Sequence, residues 1–345
     1  MDGWRLQVDI ALRTAVDSMH TLAIGRSLKR SSTMYINIHV PLDNSDHSNT
    51  AMKLGVALGE AFDARLVGSH VYAAKLHDVR FKQMEFTLPE EYKEETELEK
   101  QRKIHDALIA RGLHLISDSY LDQMGVLTEE KGIEFERKHF DGRNFEALVG
   151  DITEDDYDLV VMGALGQGAV RDSQVGSVCE RILRRTEVDT LVVRDTETDS
   201  FASEGVIAVA LDGSEQSYGA LRGAIALAAK TNKAIEIVSV ATTGTEEAGL
   251  LSTHIELASS LVQKAGIEVT TRLLDGDTIS CLHTYMVDTK PWVLAIGRIG
   301  IDGTSEDIGS TTDNLLRIAE SNLLVASQTW RPGDSAEQEA ISAAK

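Results

Sequence analysis

Residues 38–62, IHVPLDNSDHSNTAMKLGVALGEAF, and residues 207–230, IAVALDGSEQSYGALRGAIALAAK, are two versions of one segment. In each version a short apolar run leads to an aspartate, Asp43 or Asp212. A serine then opens a stretch whose apolar and small residues recur at helical spacing. A repeated strand, acidic turn and helix predict an internal duplication.

The duplication extends along most of the chain. The offset of 169 residues that relates the two segments also relates Val71 to Val240. Later in the chain the offset falls to 134, as between Gly132 and Gly266. The first half therefore holds about 35 extra residues between Val71 and Gly132, since the register changes from 169 to 134. Further glycine pairs keep an offset of 134 or 133: Gly163/Gly297, Gly166/Gly300 and Gly176/Gly309.

Each half reads as alternating strands and helices. Apolar runs of four to eight residues, rich in Val and Ile, are typical of strands buried in a parallel sheet. The runs are 35–40, 64–71, 133–140, 158–163 and 189–194 in the first half, and 205–211, 235–240, 267–274, 292–297 and 322–327 in the second. The alternation predicts an α/β fold with two doubly wound, mostly parallel five-stranded sheets.

The expected domain organisation follows from this register. We expect an N-terminal helical appendage at 1–32, a first domain at 33–195 with a helical insertion at about 74–127, a second domain at 203–328 and a C-terminal tail at 329–345. Alternating charges in the insertion favour a solvated helix with one packed face, and a partner-binding arm is the alternative. Residues 1–32 are a packed appendage, a partner-binding helix or an incorrectly assigned start, and the sequence does not choose among these.

Composition excludes several classes of function. The chain of 345 residues has 34 Lys and Arg against 55 Asp and Glu, a formal charge of −21. Such a surface disfavours nucleic acid and anionic membranes as partners, so backbone N–H groups must hold any phosphate. Two cysteines exclude a disulfide scaffold. The sequence shows no apolar run of membrane-spanning length and a poor match to a signal peptide, so we expect a cytoplasmic protein.

Chemistry is expected beyond the carboxyl ends of the strands, where open α/β sheets bind ligands. The fourth strand of the first half leads into Gly163-x2-Gly166-x9-Gly176-Ser177. Glycines let a backbone approach a ligand closely, and a loop that enters a helix presents free N–H groups to phosphate. Asp43, after the first strand, is an acceptor of the kind that binds ribose hydroxyls.

These motifs resemble those of the universal stress protein family, over residues 33–195 and 203–328, as a tandem of two such domains. The glycine spacing is similar to the signature of that family's ATP-binding branch. The resemblance implies ATP, with or without Mg²⁺, and an internal pseudo-dimer that pairs the last strand of each domain. The implied contacts are Pro41 and Asp43 beside the adenosine, Val71 at the adenine, Met162 and Gly163 at the ribose, and Gly166, Gly176, Ser177 and Val178 at the phosphates.

The second half departs from the signature. Only eight residues separate Gly300 from Gly309, and this loop carries Asp302, Glu306 and Asp307. Acids near a triphosphate oppose its binding, and Arg298 offers partial compensation. We expect this site to be the weaker one. Its matching positions are Asp212, Val240, Ile296, Gly297, Gly300, Gly309, Ser310 and Thr311.

The leading functional hypothesis is a nucleotide-binding regulator or sensor in a stress response. No catalytic residue is assigned, and slow ATP hydrolysis is the most that is expected. The alternative is a nucleotide-free interaction protein of the same fold that binds a protein partner through its insertion. An adenylate-forming enzyme is a weaker rival, because the S-G-G-x-D-S-type loop is absent after the first strand. A homodimer remains open.

Metal and cysteine chemistry are not expected. The sequence has no G-x4-G-K-[S/T] loop and no G-x-S-x-G elbow. His70, His77, His105 and His114 show no recognisable ligand spacing, so no metal site is predicted. Cys179 lies near a predicted helix start, which can lower a thiol pKa, although packing is the favoured role.

Overall fold

The computed structural model describes residues 34–73, 83–169, 173–197, 201, 204–242, 244–301, 303, 307–333 and 335–344. The predicted appendage at 1–32 lies outside these residues, as does the part of the insertion at 74–82. The strands are β1 Asn37–Pro41, β2 Arg65–Tyr72, β3 Phe135–Asp141, β4 Leu159–Gly163, β5 Asp189–Val193, β6 Ile207–Ala210, β7 Ile235–Val240, β8 Val269–Leu274, β9 Val293–Gly297 and β10 Asn322–Ala326. The helices are α1 Asp46–Phe62, α2 Glu95–Lys131, α3 Asn144–Glu154, α4 Ser177–Arg185, α5 Glu215–Thr231, α6 Glu246–Lys264, α7 Thr278–Thr289, α8 Ser310–Ile318 and α9 Ala336–Ala343, with a short 3₁₀ turn at Glu90–Tyr92.

The strands form one ten-stranded sheet in the order β3-β2-β1-β4-β5-β10-β9-β6-β7-β8. Each half contributes five parallel strands, and the halves join through the antiparallel pair β5–β10, where Leu191 lies opposite Leu324. The predicted α/β fold and the predicted pairing of the last strands are confirmed. The two sheets are continuous because each last strand would otherwise expose an unpaired edge.

Helices cover both faces of the sheet. The core on one face includes α1, α2, α5, α6 and α9, and the core on the other includes α3, α4, α7 and α8. Both cores run through the two halves without a break, as with Leu58 and Leu227 on the first face. Ser45 and Ser214 accept the backbone N–H of Ser48 and Ser217, and these bonds fix the starts of α1 and α5.

Each half makes the same kind of polar contact to the other half where β5 and β10 meet. Asp189 Oδ1 at the start of β5 accepts the N–H groups of Ser327 and Gln328, which follow β10. In return, Asn322 Oδ1 at the start of β10 accepts the two N–H groups that follow β5, at 2.8 and 3.1 Å. These four bonds satisfy backbone donors where two strand ends meet in the core.

Charged side chains of α4 and α8 form ion pairs between the two halves. Arg184 Nη2 lies 2.7 Å from Asp313 Oδ1, and Arg317 Nη2 lies 2.9 Å from Glu180 Oε1. Arg184 and Arg317 occupy equivalent positions in the duplication, so the two bonds are copies of one another. The helices that begin at the two glycine loops are therefore tied together.

Helix α2 contains 37 residues, whereas its counterpart α6 contains 19. Its buried residues lie in its second half, where Leu121 packs against Gly68 of β2. Leu108 in the first half is 66 % exposed. Leu121 and Met124, which fall within the expected insertion at about 74–127, belong to the core. We propose that the added segment ends near residue 112.

Removing residues 86–112 should therefore preserve the fold. None of the side chains whose burial is described in this segment is buried, and ion pairs such as Lys103–Glu99 are surface pairs of small net value. We expect one cooperative urea transition and a free energy of unfolding within about 1 kcal/mol of the parent. A control deletion of equal length at 100–126, which removes Leu121 and Met124, should not fold. Failure of the 86–112 variant to fold would place that segment in the core.

Residues of the described C-terminal ranges 329–333 and 335–344 pack onto the second half. Trp330 is buried, its indole N–H donates to Glu339, and Ala340 of α9 lies in the core with α5 and α6. In the part of the chain that the structure describes, no helix is both long and apolar enough to cross a bilayer.

Candidate functional site

A crevice of about 380 Å³ opens at the carboxyl ends of β1 and β4. β1 and β4 are neighbours in the sheet, but the chain continues from β1 to β2 on one side and from β4 to β5 on the other. The loops that follow β1 and β4 therefore diverge. All nine residues expected at the first-half site line this crevice: Pro41, Asp43, Val71, Met162, Gly163, Gly166, Gly176, Ser177 and Val178.

Asp43 joins the two loops that form the crevice. Its Oδ1 accepts the N–H and hydroxyl of Ser45 at 3.1 and 2.7 Å, and its Oδ2 accepts the N–H of Gln167 at 2.9 Å. A Cβ on Gly166 would collide with Oδ2, so the close approach requires glycine there. A carboxylate offers about four acceptor positions and three are used here, so Asp43 has room for one further donor.

Helix α4 points its first turn at the crevice. Gly176 is its N-cap and donates its own N–H to the carbonyl of Ala164 at 2.7 Å. The first N–H groups inside a helix have no intrahelical partner, which leaves those of Ser177 to Cys179 at the crevice wall. The arrangement suits an anion, because aligned donors and the helix dipole both favour negative charge.

The crevice has little cationic character. Its described lining includes no Lys or Arg, while Asp43 and Glu180 both contribute carboxylates. Arg171 and Asp172, which the sequence places in the same loop, lie outside the described residues. Burial lowers the pKa of His70, which lines the crevice, and the nearby Asp43 opposes that shift. An anion here would depend on backbone N–H groups, as composition predicts.

Cys179 is a packing residue. It is buried in the core beneath α4, and burial raises the pKa of its thiol to about 12. The favoured expectation is confirmed, because desolvation of the thiolate outweighs the helix N-terminus.

A second crevice of about 310 Å³ occupies the equivalent place in the other half. Asp212 repeats the contacts of Asp43: it accepts the N–H and hydroxyl of Ser214 at 2.9 and 2.6 Å and the N–H of Ile301 at 2.9 Å. All the predicted positions line this crevice: Asp212, Val240, Ile296, Gly297, Gly300, Gly309, Ser310 and Thr311.

The charges of the second loop differ from expectation. Arg298 does not line the crevice. It is buried and donates to the carbonyl of Thr186 in the first half, so the expected compensation by Arg298 is wrong. Asp307 forms an ion pair with Arg184 at 2.8 Å, on the side of the interface. Asp302 and Glu306 lie outside the described residues, and Glu247 supplies a carboxylate to the described lining.

Several residues that were not predicted from the sequence also line the crevice. Asn144 and Leu148 come from α3, Glu180 comes from the first turn of α4, and His70 comes from β2. Only His70 has a detectable signal, since it directly precedes the predicted Val71. Glu180 lines the crevice and also contacts Arg317 of the other half, so one side chain connects the site with the interface.

Fold and site together define a tandem α/β protein with a glycine-loop crevice in each half. The family model of the universal stress protein family matches residues 34–194 and 205–327. The chain belongs to the universal stress protein family, and its two halves are two copies of that family's unit.

Known proteins agree with this assignment. A universal stress protein of Methanocaldococcus jannaschii is 27 % identical over 168 residues, which cover 48 % of this chain and 86 % of that protein. The structure of a universal stress protein from Archaeoglobus fulgidus covers 84 % of this chain and 97 % of its own, with a TM-score of 0.61 and 16 % identity. A structure from Pseudomonas aeruginosa covers 91 % of this chain and all of its own, with a TM-score of 0.55 and 14 % identity. The two structures show a shared fold.

Proposed function

We propose that the chain binds ATP in the first-half crevice and acts as a nucleotide-responsive regulator. The observation that carries the proposal is convergence on one cavity. The Asp43 carboxylate, the close-approaching Gly166 loop and the open N–H groups of α4 all face the same 380 Å³ space. That volume lies within the usual range for small-molecule sites, about 300–1,000 Å³.

Each part of the nucleotide has a matching surface. The backbone at Val71 and the side chains of Leu148 and Met162 provide an apolar wall for adenine. Asp43 Oδ2 accepts one ribose hydroxyl without releasing its bonds to the two loops. The start of α4 and the Ser177 hydroxyl receive the phosphates, and the absence of Lys and Arg from the described lining limits the electrostatic contribution.

The crevice supports binding better than catalysis. Among the described lining residues, His70 is the only imidazole, and it lies on β2 beside Val71. Regulation follows from position, because α4 carries both the phosphate-binding turn and the ion pairs to α8. Nucleotide occupancy would bias how the two halves pack.

A second candidate, a partner-binding role, is favoured by one observation. The part of α2 that precedes its buried residues leaves Ile104, Leu108 and Leu115 exposed. The roles are separable, because α2 residues 95–112 do not line the crevice. Mass spectrometry of small molecules released from denatured protein tests the first role. Release of an adenine nucleotide supports nucleotide binding. Protein that neither carries nor binds ATP would contradict it, and only the partner-binding role would remain.

Replacing Asp43 tests the ribose contact. Asp43→Ala should weaken Mg-ATP binding by about tenfold or more in calorimetry, because a charge-assisted hydrogen bond contributes roughly 1.5–3 kcal/mol. The matched control is Asp212→Ala, which breaks the same three internal bonds in the other half and should lower the thermal midpoint similarly. If both variants melt earlier and both bind ATP like the parent, Asp43 only joins the loops.

A further inference from the structure

A cluster of two histidines and one aspartate lies between α2 and β3, outside the crevice. His114 Nδ1 and His139 Nε2 donate to the two carboxylate oxygens of Asp118, at 3.0 and 2.9 Å. One ligand atom from each residue lies within 4.8 Å of the other two. The imidazole rings are tilted over one another, with centroids 4.6 Å apart.

We propose that His114, Asp118 and His139 form a binding site for a divalent transition metal, and for Zn²⁺ in particular. Two imidazole nitrogens and a carboxylate oxygen are a borderline donor set that suits zinc, with water in the fourth position. Tetrahedral zinc with ligand bonds of about 2.0–2.1 Å separates its ligand atoms by roughly 3.3 Å. The two imidazole nitrogens contact different oxygens of Asp118, and one ligand atom from each residue lies within 4.8 Å of the others, so side-chain movement can bring all three to that separation.

The backbone holds the three residues in place. His114 and Asp118 are one helical turn apart and so share a face of α2. Ser117 and Leu121, which flank Asp118 along the helix, are buried, so this part of α2 is fixed on the sheet. On β3, Arg137 and His139 both pair with aspartates of α2 and so point from the same face of the strand.

Access and charge also favour a cation. The side chains of His114 and Asp118 are 52 % and 40 % exposed, and that of His139 is 22 % exposed, so a metal can enter from solvent and keep a water ligand. The protein's formal charge of −21 adds long-range attraction.

The duplication shows that the fold does not require these residues. With the register of 134, the equivalent positions in the second half are Ala248, Ser252 and Leu273. Ala248 is buried and Leu273 is exposed, and neither can bind a metal. The cluster is therefore an addition to the first half, at the point where the extended helix α2 leaves the sheet.

Sequence spacing hides this site because the third ligand comes from another element. His114 and Asp118 are separated by one turn, but His139 follows 21 residues after Asp118, across a helix end and a turn. The site is independent of the proposed nucleotide binding, since none of the three residues lines the crevice.

Calorimetric titration of the full chain with ZnCl₂, without nucleotide and at pH 7.5, tests the proposal. We expect saturable one-to-one binding and a zinc-dependent rise in the thermal midpoint. His114→Gln and His139→Gln should each weaken binding at least tenfold, and the double variant should lose both effects. His105→Gln, on the same helix, should bind zinc like the parent, and Mg²⁺ should not bind at this cluster.

Two results would overturn the assignment: no saturable zinc binding, or a double variant that binds zinc as tightly as the parent. His114 is half-exposed, so the His114→Gln variant should fold even if the His139→Gln variant, which changes the edge strand β3, does not. Mg-ATP titration of His114→Gln should give the parent affinity, which keeps the outcome separate from that of the nucleotide site.

Discussion

Gly176→Val should abolish the tight nucleotide site, with a loss of at least about a hundredfold in Mg-ATP affinity, close to 2.7 kcal/mol. A Cβ at this position would lie 3.1 Å from the carbonyl oxygen of Ala164 and 3.6 Å from the N of Gly166. The two γ-methyl groups of valine would push the start of α4 away from the glycine loop and enter the space assigned to the phosphates. The backbone conformation of Gly176 is open to any residue, so the effect comes from close packing.

The matched control is Gly309→Val in the second half. Its Cβ would lie 3.3 Å from the carbonyl oxygen of Arg298, nearly the same geometry, so the cost in stability should be similar. Calorimetry of the parent should show one tight Mg-ATP site and at most one weaker site, and Gly309→Val should keep the tight one. Loss of the tight site in Gly309→Val instead would assign that site to the second half. Retention of the tight site in both variants would contradict the assignment of the phosphates to the helix starts.

Leu324→Ala should destabilise the whole protein by about 2–5 kcal/mol, the usual cost of a large cavity in a core. Leu324 is fully buried on β10, lies opposite Leu191 of β5, and approaches Gly223 of α5. Because the cores on both faces continue through the two halves, the loss should shift a single cooperative transition.

Urea unfolding followed by both circular dichroism and tryptophan fluorescence measures this effect. Leu108→Ala is the matched control, since the same side chain is removed from an exposed position on α2, and its effect should stay within about 0.5 kcal/mol. Two separate transitions, of which only one moves in Leu324→Ala, would contradict a shared core.

The sequence by itself determined the duplication, the α/β class and the meeting of Asp43 with the glycine loop, whereas the resemblance to the universal stress protein family implied the pairing of the last strands and the other residues of each crevice. It could do so because local periodicity reports which elements form, and because the carboxyl ends of parallel strands must meet at one edge. Asp43 and Gly166 are far apart in the chain, yet a strand end and a glycine spacing were enough to place both at one site.

Only the tertiary structure decided which charged side chains face the second-half crevice. Arg298 and Asp307 belong to the second glycine loop in sequence, but packing turns both toward the first half. It also supplies the ground for the proposed end of the added part of α2 near residue 112, because a helical period continues through a buried segment and an exposed one alike. The cluster of His114, Asp118 and His139 joins residues from a helix and a strand, and no spacing along the chain encodes a distance between two elements that meet only after folding.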